Sequence, residues 1–317
     1  MTKGSDREIL LTLRMLEQEC PEDVMLAKDI IMPTRQDGAQ KSLQEALNAA
    51  MSTLPSQNAK PVLRILHHLA CTGGTIISKA ISSQPNVALL SEVDPFSPMG
   101  HEHPFRPTDM IGLAKIGSRA ASIETQGKLF RSSLDILSKE NEVQGTYLVL
   151  RDHSHGKYNY GSNIATYPNL RAFLSDTYDI KSILTVRDPI DSYLSLKKNG
   201  WEHFSPSGFD EYCRRMLVFL DDHADVPITR YEDFITDPQN VCEALCNTLE
   251  LPFNPDFARL MPAISISGDS GRKGGKLELR ARREISRNET TEFAASAHYA
   301  KLAERLGYPF EACDLMG

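Results

Sequence analysis

The chain has 317 residues, 41% of them hydrophobic and 24% charged, with a formal net charge of −7. This is the make-up of an ordinary globular protein, long enough for one large α/β domain and a small appendage. A mildly acidic chain lacks the broad cationic surface of a non-specific nucleic-acid binder, so no nucleic-acid partner is expected and any anionic ligand must meet a local basic site.

No apolar run is long enough to span a bilayer, and the opening MTKGSDREIL has no apolar core of signal-peptide length. Six cysteines, at positions 20, 71, 213, 242, 246 and 313, are scattered. Cys242 and Cys246 fit two buried thiols on one helix. The expectation is a reduced, cytoplasmic protein with no membrane span and no metal site.

Residues 5–54 carry apolar positions at helical spacing, including Leu10, Leu13, Leu16, Ala46, Ala49 and Leu54. Pro33 and Gly38 divide the segment, and Pro55–Pro61 looks like a linker. We therefore expect a helical N-terminal segment over 1–58 and the main domain over 59–317. From Val62 the pattern changes. A strand over Val62–Leu69 leads into the turn Cys71-Thr72-Gly73-Gly74-Thr75 and an amphipathic helix over Ile76–Ser83. A strand over Asn86–Leu90 and a helical stretch over 109–140 follow. Further strands are expected at Gly145–Leu150, Ile180–Val186 and Val226–Arg230, with helices at Pro189–Lys197, Pro238–Leu249 and Thr290–Leu306, the last stopped by Gly307. Strands alternating with helices predict a parallel sheet covered on both faces, with ligands at the carboxyl ends of its strands.

Four segments carry chemistry. The turn Thr72-Gly73-Gly74-Thr75-Ile76 joins a strand to a helix. Its adjacent glycines permit close backbone approach. The helix N-terminus offers N–H groups to phosphate or sulfate, and Thr75 can add a hydroxyl donor. It is not a Walker A loop, because no Lys-Ser/Thr pair follows a second glycine at the required distance. Arg187 ends a strand, with Ser195 eight residues on. A guanidinium beside a hydroxyl is a good phosphate clamp, and its alternative is an ion pair with Asp188 or Asp191. Arg272-Lys273-Gly274 sits in a glycine-rich basic loop suited to folding over an anion. Arg151, His153 and His155 follow the third strand and share one face if that strand continues. Either histidine is a candidate general base, with a two-histidine metal site as the rival.

Taken together and in this order, the segments resemble the sulfotransferase family that uses 3′-phosphoadenosine 5′-phosphosulfate (PAPS). Thr72-Gly73-Gly74-Thr75 resembles the family's 5′-phosphosulfate loop. Arg187-Asp188-Pro189 with Ser195, and Arg272-Lys273-Gly274, resemble its two 3′-phosphate sites. Arg230-Tyr231-Glu232-Asp233 resembles the strand end that places Tyr231 near adenine. Arg151-Asp152-His153 is similar to its general-base stretch. The resemblance covers roughly residues 60–310. It implies an α/β three-layer sandwich with a central parallel sheet, like the P-loop nucleotide hydrolases. It also implies in-line transfer from PAPS to an acceptor hydroxyl of a carbohydrate, glycolipid or small-molecule alcohol, with release of adenosine 3′,5′-bisphosphate. Residues 92–140, including Phe96, His101, His103, Phe105 and Arg106, are expected to shape the acceptor pocket together with the N-terminal 60 residues. One departure stands out. Cys71 occupies the position where the family carries a lysine or arginine, leaving Lys273 or Arg151 to serve the leaving phosphate. The rival readings are a kinase of similar fold and a non-catalytic nucleotide-binding scaffold.

Overall fold

The computed structural model describes residues 60–99, 107–267, 277 and 282–309. The chain divides into two compact units, Met1–Lys60 and Pro61–Gly317. The expected N-terminal helices lie outside the described residues, which fall almost wholly in the second unit.

Five parallel strands form the sheet of that unit: β1 (Val62–His68), β2 (Val87–Val93), β3 (Tyr147–Asp152), β5 (Asp179–Val186) and β7 (Ile228–Arg230), in the order β2-β3-β1-β5-β7. The central strand β1 pairs with β3 through Leu66 and Arg151, and with β5 through His68 and Thr185. Its apolar residues alternate between faces, as the period-2 geometry of a strand demands. Leu63 and Ile65 pack with Leu134 of α3 (Ile123–Val143) and Leu170 and Leu174 of α5 (Leu170–Leu174). Leu66 packs on the other side with Ile77 and Ile81 of α1 (Gly74–Ser82) and Cys242, Leu245 and Cys246 of α9 (Pro238–Thr248). A third cluster joins Leu184 and Val186 to α6 (Pro189–Lys198), α7 (Phe209–Asp221), α11 (Arg287–Ala295) and α12 (Ala297–Leu306). Helices thus cover both faces of a parallel sheet, the α/β sandwich expected from the sequence. The remaining helices are α2 (Met110–Ile116), α4 (Ser154–Tyr158), α8 (Tyr231–Thr236) and α10 (Phe257–Leu260), and a two-strand ribbon pairs β4 (Tyr160–Gly161) with β6 (His203–Phe204).

Several boundaries differ from the sequence expectation, each for a local reason. The stretch 109–140 is two helices, because Gly117 turns extended and Ser122 caps α3 by accepting from the Thr125 amide. The stretch 290–306 is likewise broken at Ser296, whose hydroxyl accepts from the Tyr299 amide and starts α12, although Gly307 ends it in the left-handed conformation as expected. Helix α7 has no counterpart among the expected elements. Its buried stripe, Tyr212, Cys213, Met216, Phe219 and Leu220, has helical spacing but also carries Arg215, fully buried and donating to the carbonyls of Tyr158, Gly161 and Ser162. The third strand does not continue past Asp152. His153 instead caps α4, so the shared face expected for Arg151, His153 and His155 does not form.

Candidate active site

The carboxyl ends of β1, β3, β5 and β7 carry those predicted residues that fall among the described ones. After β1 the chain turns sharply, with Cys71 at φ 69° and Gly73 at φ 90°. The Thr72 hydroxyl secures the turn by donating to the Leu69 carbonyl at 2.8 Å. Gly73 is the N-cap of α1 and gives it no side-chain cap. Both glycines are sterically required: a Cβ at Gly73 would lie 2.6 Å from Tyr231 Cδ2, and one at Gly74 would lie 2.4 Å from the His68 ring. Ile76 in the first turn of α1 packs against the core beneath the loop. Cys71 is half-buried, forms no disulfide, and receives a contact from Asn199 Nδ2 at 3.7 Å.

Arg187 lies just past β5, its side chain 14% exposed. Its guanidinium sits 4.9 Å from the centre of the Tyr231 ring, a cation–π contact. The Asp191 carboxylate is 3.9 Å from Nη2, and Nε is buried without a hydrogen-bond partner among the described residues. A nearly buried cation with so little compensation is unusual, because burial removes the hydration of a charge and demands partners in return. Tyr231, the first residue of α8, thus contacts both Arg187 and the Gly73 backbone position. Ser195 is buried in α6. Asp188 caps α6 by accepting from the Asp191 amide at 3.0 Å, and its own amide donates to Glu232 at 3.0 Å.

Arg151 is the opposite case. Its side chain is 4% exposed. Nε donates to His68 Nε2 at 2.8 Å, Nη2 to the Thr75 hydroxyl at 3.0 Å, and Nη1 to the Ser91 hydroxyl at 3.0 Å and the Ser267 carbonyl at 3.1 Å. Nη1 also pairs with Glu92 at 2.7 Å. Burial, followed by the Arg151 charge, holds the His68 pKa down to about 3. His68 is therefore neutral, donating from Nδ1 to the Leu69 carbonyl at 2.9 Å and accepting at Nε2. The Thr75 hydroxyl, expected to face an anion, is the acceptor for Arg151.

The two histidines separate. His153 keeps a quarter of its side chain exposed, with Nε2 3.5 Å from the Glu92 carboxylate. His155 is buried, and its pKa is pushed down to about 3 by burial first and then by His153 and His203. Beside His153 opens a cleft lined by Asp94, Phe96, Asp152, Ser154, Lys157, Tyr158 and Tyr167, which contains the start of the region expected to shape the acceptor site. Burial and then the charge of Asp152 raise the Asp94 pKa to about 6. Lys157 donates to the carbonyls of Ala165 and Tyr167 at 2.7 and 2.6 Å.

Arg272, Lys273 and Gly274 lie outside the described residues, as do His101, His103, Phe105 and Arg106. The described ends of the basic segment are fixed at opposite sides of the site. Ser267 exchanges hydrogen bonds with Ser91 and accepts from Arg151. Arg282 pairs with Asp188 at 2.9 Å and Asp191 at 3.2 Å, beside Arg187. Sequence reasoning misses Glu92 and Arg282. Glu92 lies in the part of β2 beyond Leu90 and holds φ 63°, strain that no composition signal reveals. Arg282 belongs to the basic run Arg280-Ala281-Arg282-Arg283, which is a usable signal.

No protein-family model matches the chain, and no curated protein matches it in sequence. Among solved structures, the sulfotransferase domain of the Synechococcus olefin synthase aligns over 80% of this chain and 98% of its own, at 15% identity and a TM-score of 0.47. A sulfotransferase from Alicyclobacillus acidocaldarius aligns over 79% of this chain and 97% of its own, at 16% identity and a TM-score of 0.41. A mouse sulfotransferase complexed with PAP aligns over 82% and 94%, at 12% identity and a TM-score of 0.39. All three are sulfotransferases.

Proposed function

We propose that the chain is a sulfotransferase that takes its sulfuryl group from PAPS. The observation that carries this reading is Arg187: an almost buried guanidinium, short of partners, stacked on Tyr231 at the carboxyl end of a parallel strand and next to a glycine-tight helix N-terminus. A phosphate dianion would satisfy the guanidinium through two parallel hydrogen bonds, and an adenine would find the aromatic ring of Tyr231. On this reading Ser195 and the segment carrying Arg272, Lys273 and Gly274 complete the 3′-phosphate site. The first-turn amides of α1 hold the 5′-phosphosulfate.

The reaction is then an in-line displacement. The acceptor oxygen attacks sulfur, the bond from sulfur to the bridging phosphate oxygen breaks, and adenosine 3′,5′-bisphosphate leaves. His153 takes the acceptor proton, and the Glu92 carboxylate beside it stabilises the resulting imidazolium. His155, buried in the protein, serves as packing for His153. Arg151 brings positive charge to the first turn of α1 through Thr75, in place of the cation absent at Cys71. The acceptor hydroxyl, on a carbohydrate, a glycolipid or a small alcohol, enters the cleft beside His153 that Asp94, Phe96 and Tyr167 line. The setting is cytoplasmic.

Thermal unfolding with added nucleotide tests the donor. Adenosine 3′,5′-bisphosphate is expected to stabilise the protein and ADP to do so much less. Equal stabilisation by ADP would favour a kinase, and none by either nucleotide would favour a scaffold. For the base, His153→Ala is expected to lower sulfation from labelled PAPS by roughly 100-fold or more with nucleotide binding kept. A fall of that size in His155→Ala alone would move the assignment to His155.

A further inference from the structure

Three side chains distant in sequence meet in the interior behind His153. His67 is on β1, Asp152 ends β3 and His223 follows α7. Their exposures are 0%, 4% and 1%. One potential ligand atom from each lies within 4.8 Å of the others. The two imidazole rings are 4.4 Å apart, centre to centre. His67 Nδ1 lies 2.8 Å from Asp152 Oδ2, so the pair shares one proton. His223 Nδ1 lies 2.8 Å from the Phe219 carbonyl oxygen. A carbonyl oxygen only accepts, so His223 Nδ1 carries the hydrogen and Nε2 presents a lone pair. That Nε2, like His67 Nε2, is buried and has no hydrogen-bond partner among the described residues.

An imidazole whose second nitrogen donates to a backbone carbonyl is held as metal-binding histidines are held. Asp152 is oriented as well, accepting from the Ser154 hydroxyl at 2.7 Å. A fully buried lone pair without a donor is an exception that calls for an explanation. No spacing signal in the sequence marks a site here, and His67 reads from sequence alone as packing at a strand end.

We propose that His67, Asp152 and His223 bind one divalent ion of the zinc class. His223 gives Nε2, Asp152 gives a carboxylate oxygen, and His67 gives Nδ1 once the ion takes the place of the shared proton, which moves to His67 Nε2 so that the ligand stays a neutral imidazole. Two imidazoles and a carboxylate are the donors that suit such an ion. The neighbouring cleft, which Asp152 and Tyr158 also line, admits water as the remaining ligand. The ion ties β1, β3 and the end of α7 together directly before His153. Its role is to fix that strand end, and the reaction itself does not pass through it.

The test needs no nucleotide and so is independent of the sulfotransferase reading. The full chain is stripped with a chelator and titrated with Co²⁺, followed by visible absorption, and then challenged with Zn²⁺. One equivalent of Co²⁺ is expected to give a d–d band that Zn²⁺ abolishes, and Zn²⁺ alone is expected to raise the unfolding temperature. His223→Ala is expected to weaken Co²⁺ binding roughly 100-fold, while His298→Ala, at a half-buried histidine beside Asp210, leaves it unchanged. X-ray absorption of the zinc-loaded parent serves if His223→Ala does not fold, with two imidazoles expected. Absence of a cobalt band in the parent, parental affinity in folded His223→Ala, or fewer than two imidazoles would overturn the proposal.

Discussion

Arg151 and Arg187 flank the central strand of the sheet, and the fold treats them in opposite ways. Arg151 is filled: His68, Thr75, Ser91, Ser267 and Glu92 occupy its guanidinium. Arg187 has an aromatic face, one carboxylate at 3.9 Å and a buried Nε with nothing to donate to. Both are nearly buried, so the difference lies in use rather than in exposure. A cation whose donors are all spent inside the protein holds elements together. A cation left short of acceptors is poised for an anion from outside.

The largest effect should come from breaking the filled arginine. Arg151→Ala takes the partner from the Glu92 carboxylate and the donor from the buried His68 Nε2, and frees the contacts to Thr75, Ser91 and Ser267, which costs about 3–5 kcal/mol. Urea unfolding is expected to show that loss. A cost under about 1 kcal/mol would mean that Arg151 does not hold the β2, β3 and α1 ends together. The next effect belongs to Gly73→Ala. Its φ of 90° and the 2.6 Å approach to Tyr231 force either the loop or the ring to move. We expect adenosine 3′,5′-bisphosphate to bind roughly 10-fold more weakly, in proportion to the lost stacking and phosphate contacts. Unchanged affinity would show that the Tyr231–Gly73 contact is not part of the nucleotide site.

A smaller effect concerns pH. His155 titrates near 3 in the folded state against an ordinary value of 6.5, because burial disfavours its charged form. The unfolded chain therefore takes up the proton first, and the stability His155 contributes is present above about 6.5 and lost as pH falls toward 3. Replacing it with Phe is expected to flatten the decline of stability across that window, and an unaltered decline would mean that His155 is hydrated. The smallest effect is Cys71→Ser. The side chain keeps its size in a left-handed turn, and sulfation should stay close to parental. A loss of roughly 1000-fold with nucleotide binding intact would make the thiol a nucleophile.

The fold class was legible because short strands rich in apolar residues, such as Val62–Leu69 and Ile180–Val186, are each followed by turn residues and a helix. The meeting of Gly73, Arg187 and Tyr231 was legible for a related reason: each sits at a strand end, where parallel sheets place ligands. What stayed hidden depends on chain paths. The break of the third strand at Asp152 decides that His153 stays accessible and His155 is buried, and alternation along a presumed strand could not show it. Helix α7 stayed unread because Arg215 interrupts its apolar stripe, although its charge is met by the Glu211 carboxylate one turn earlier and by the carbonyls of Tyr158, Gly161 and Ser162. The meeting of His67, Asp152 and His223 is a product of tertiary packing with no local trace.

Calorimetry on Arg187→Ala tests the central claim most directly, because it separates the two kinds of arginine. The account predicts a protein about as stable as the parent, within about 1 kcal/mol, since Arg187 has few bonds to lose. It also predicts that adenosine 3′,5′-bisphosphate binds about 2–4 kcal/mol more weakly, roughly 30-fold to 1000-fold, because a phosphate charge loses its partner. Parental affinity in this variant, or a loss of affinity explained wholly by a loss of stability, would contradict it.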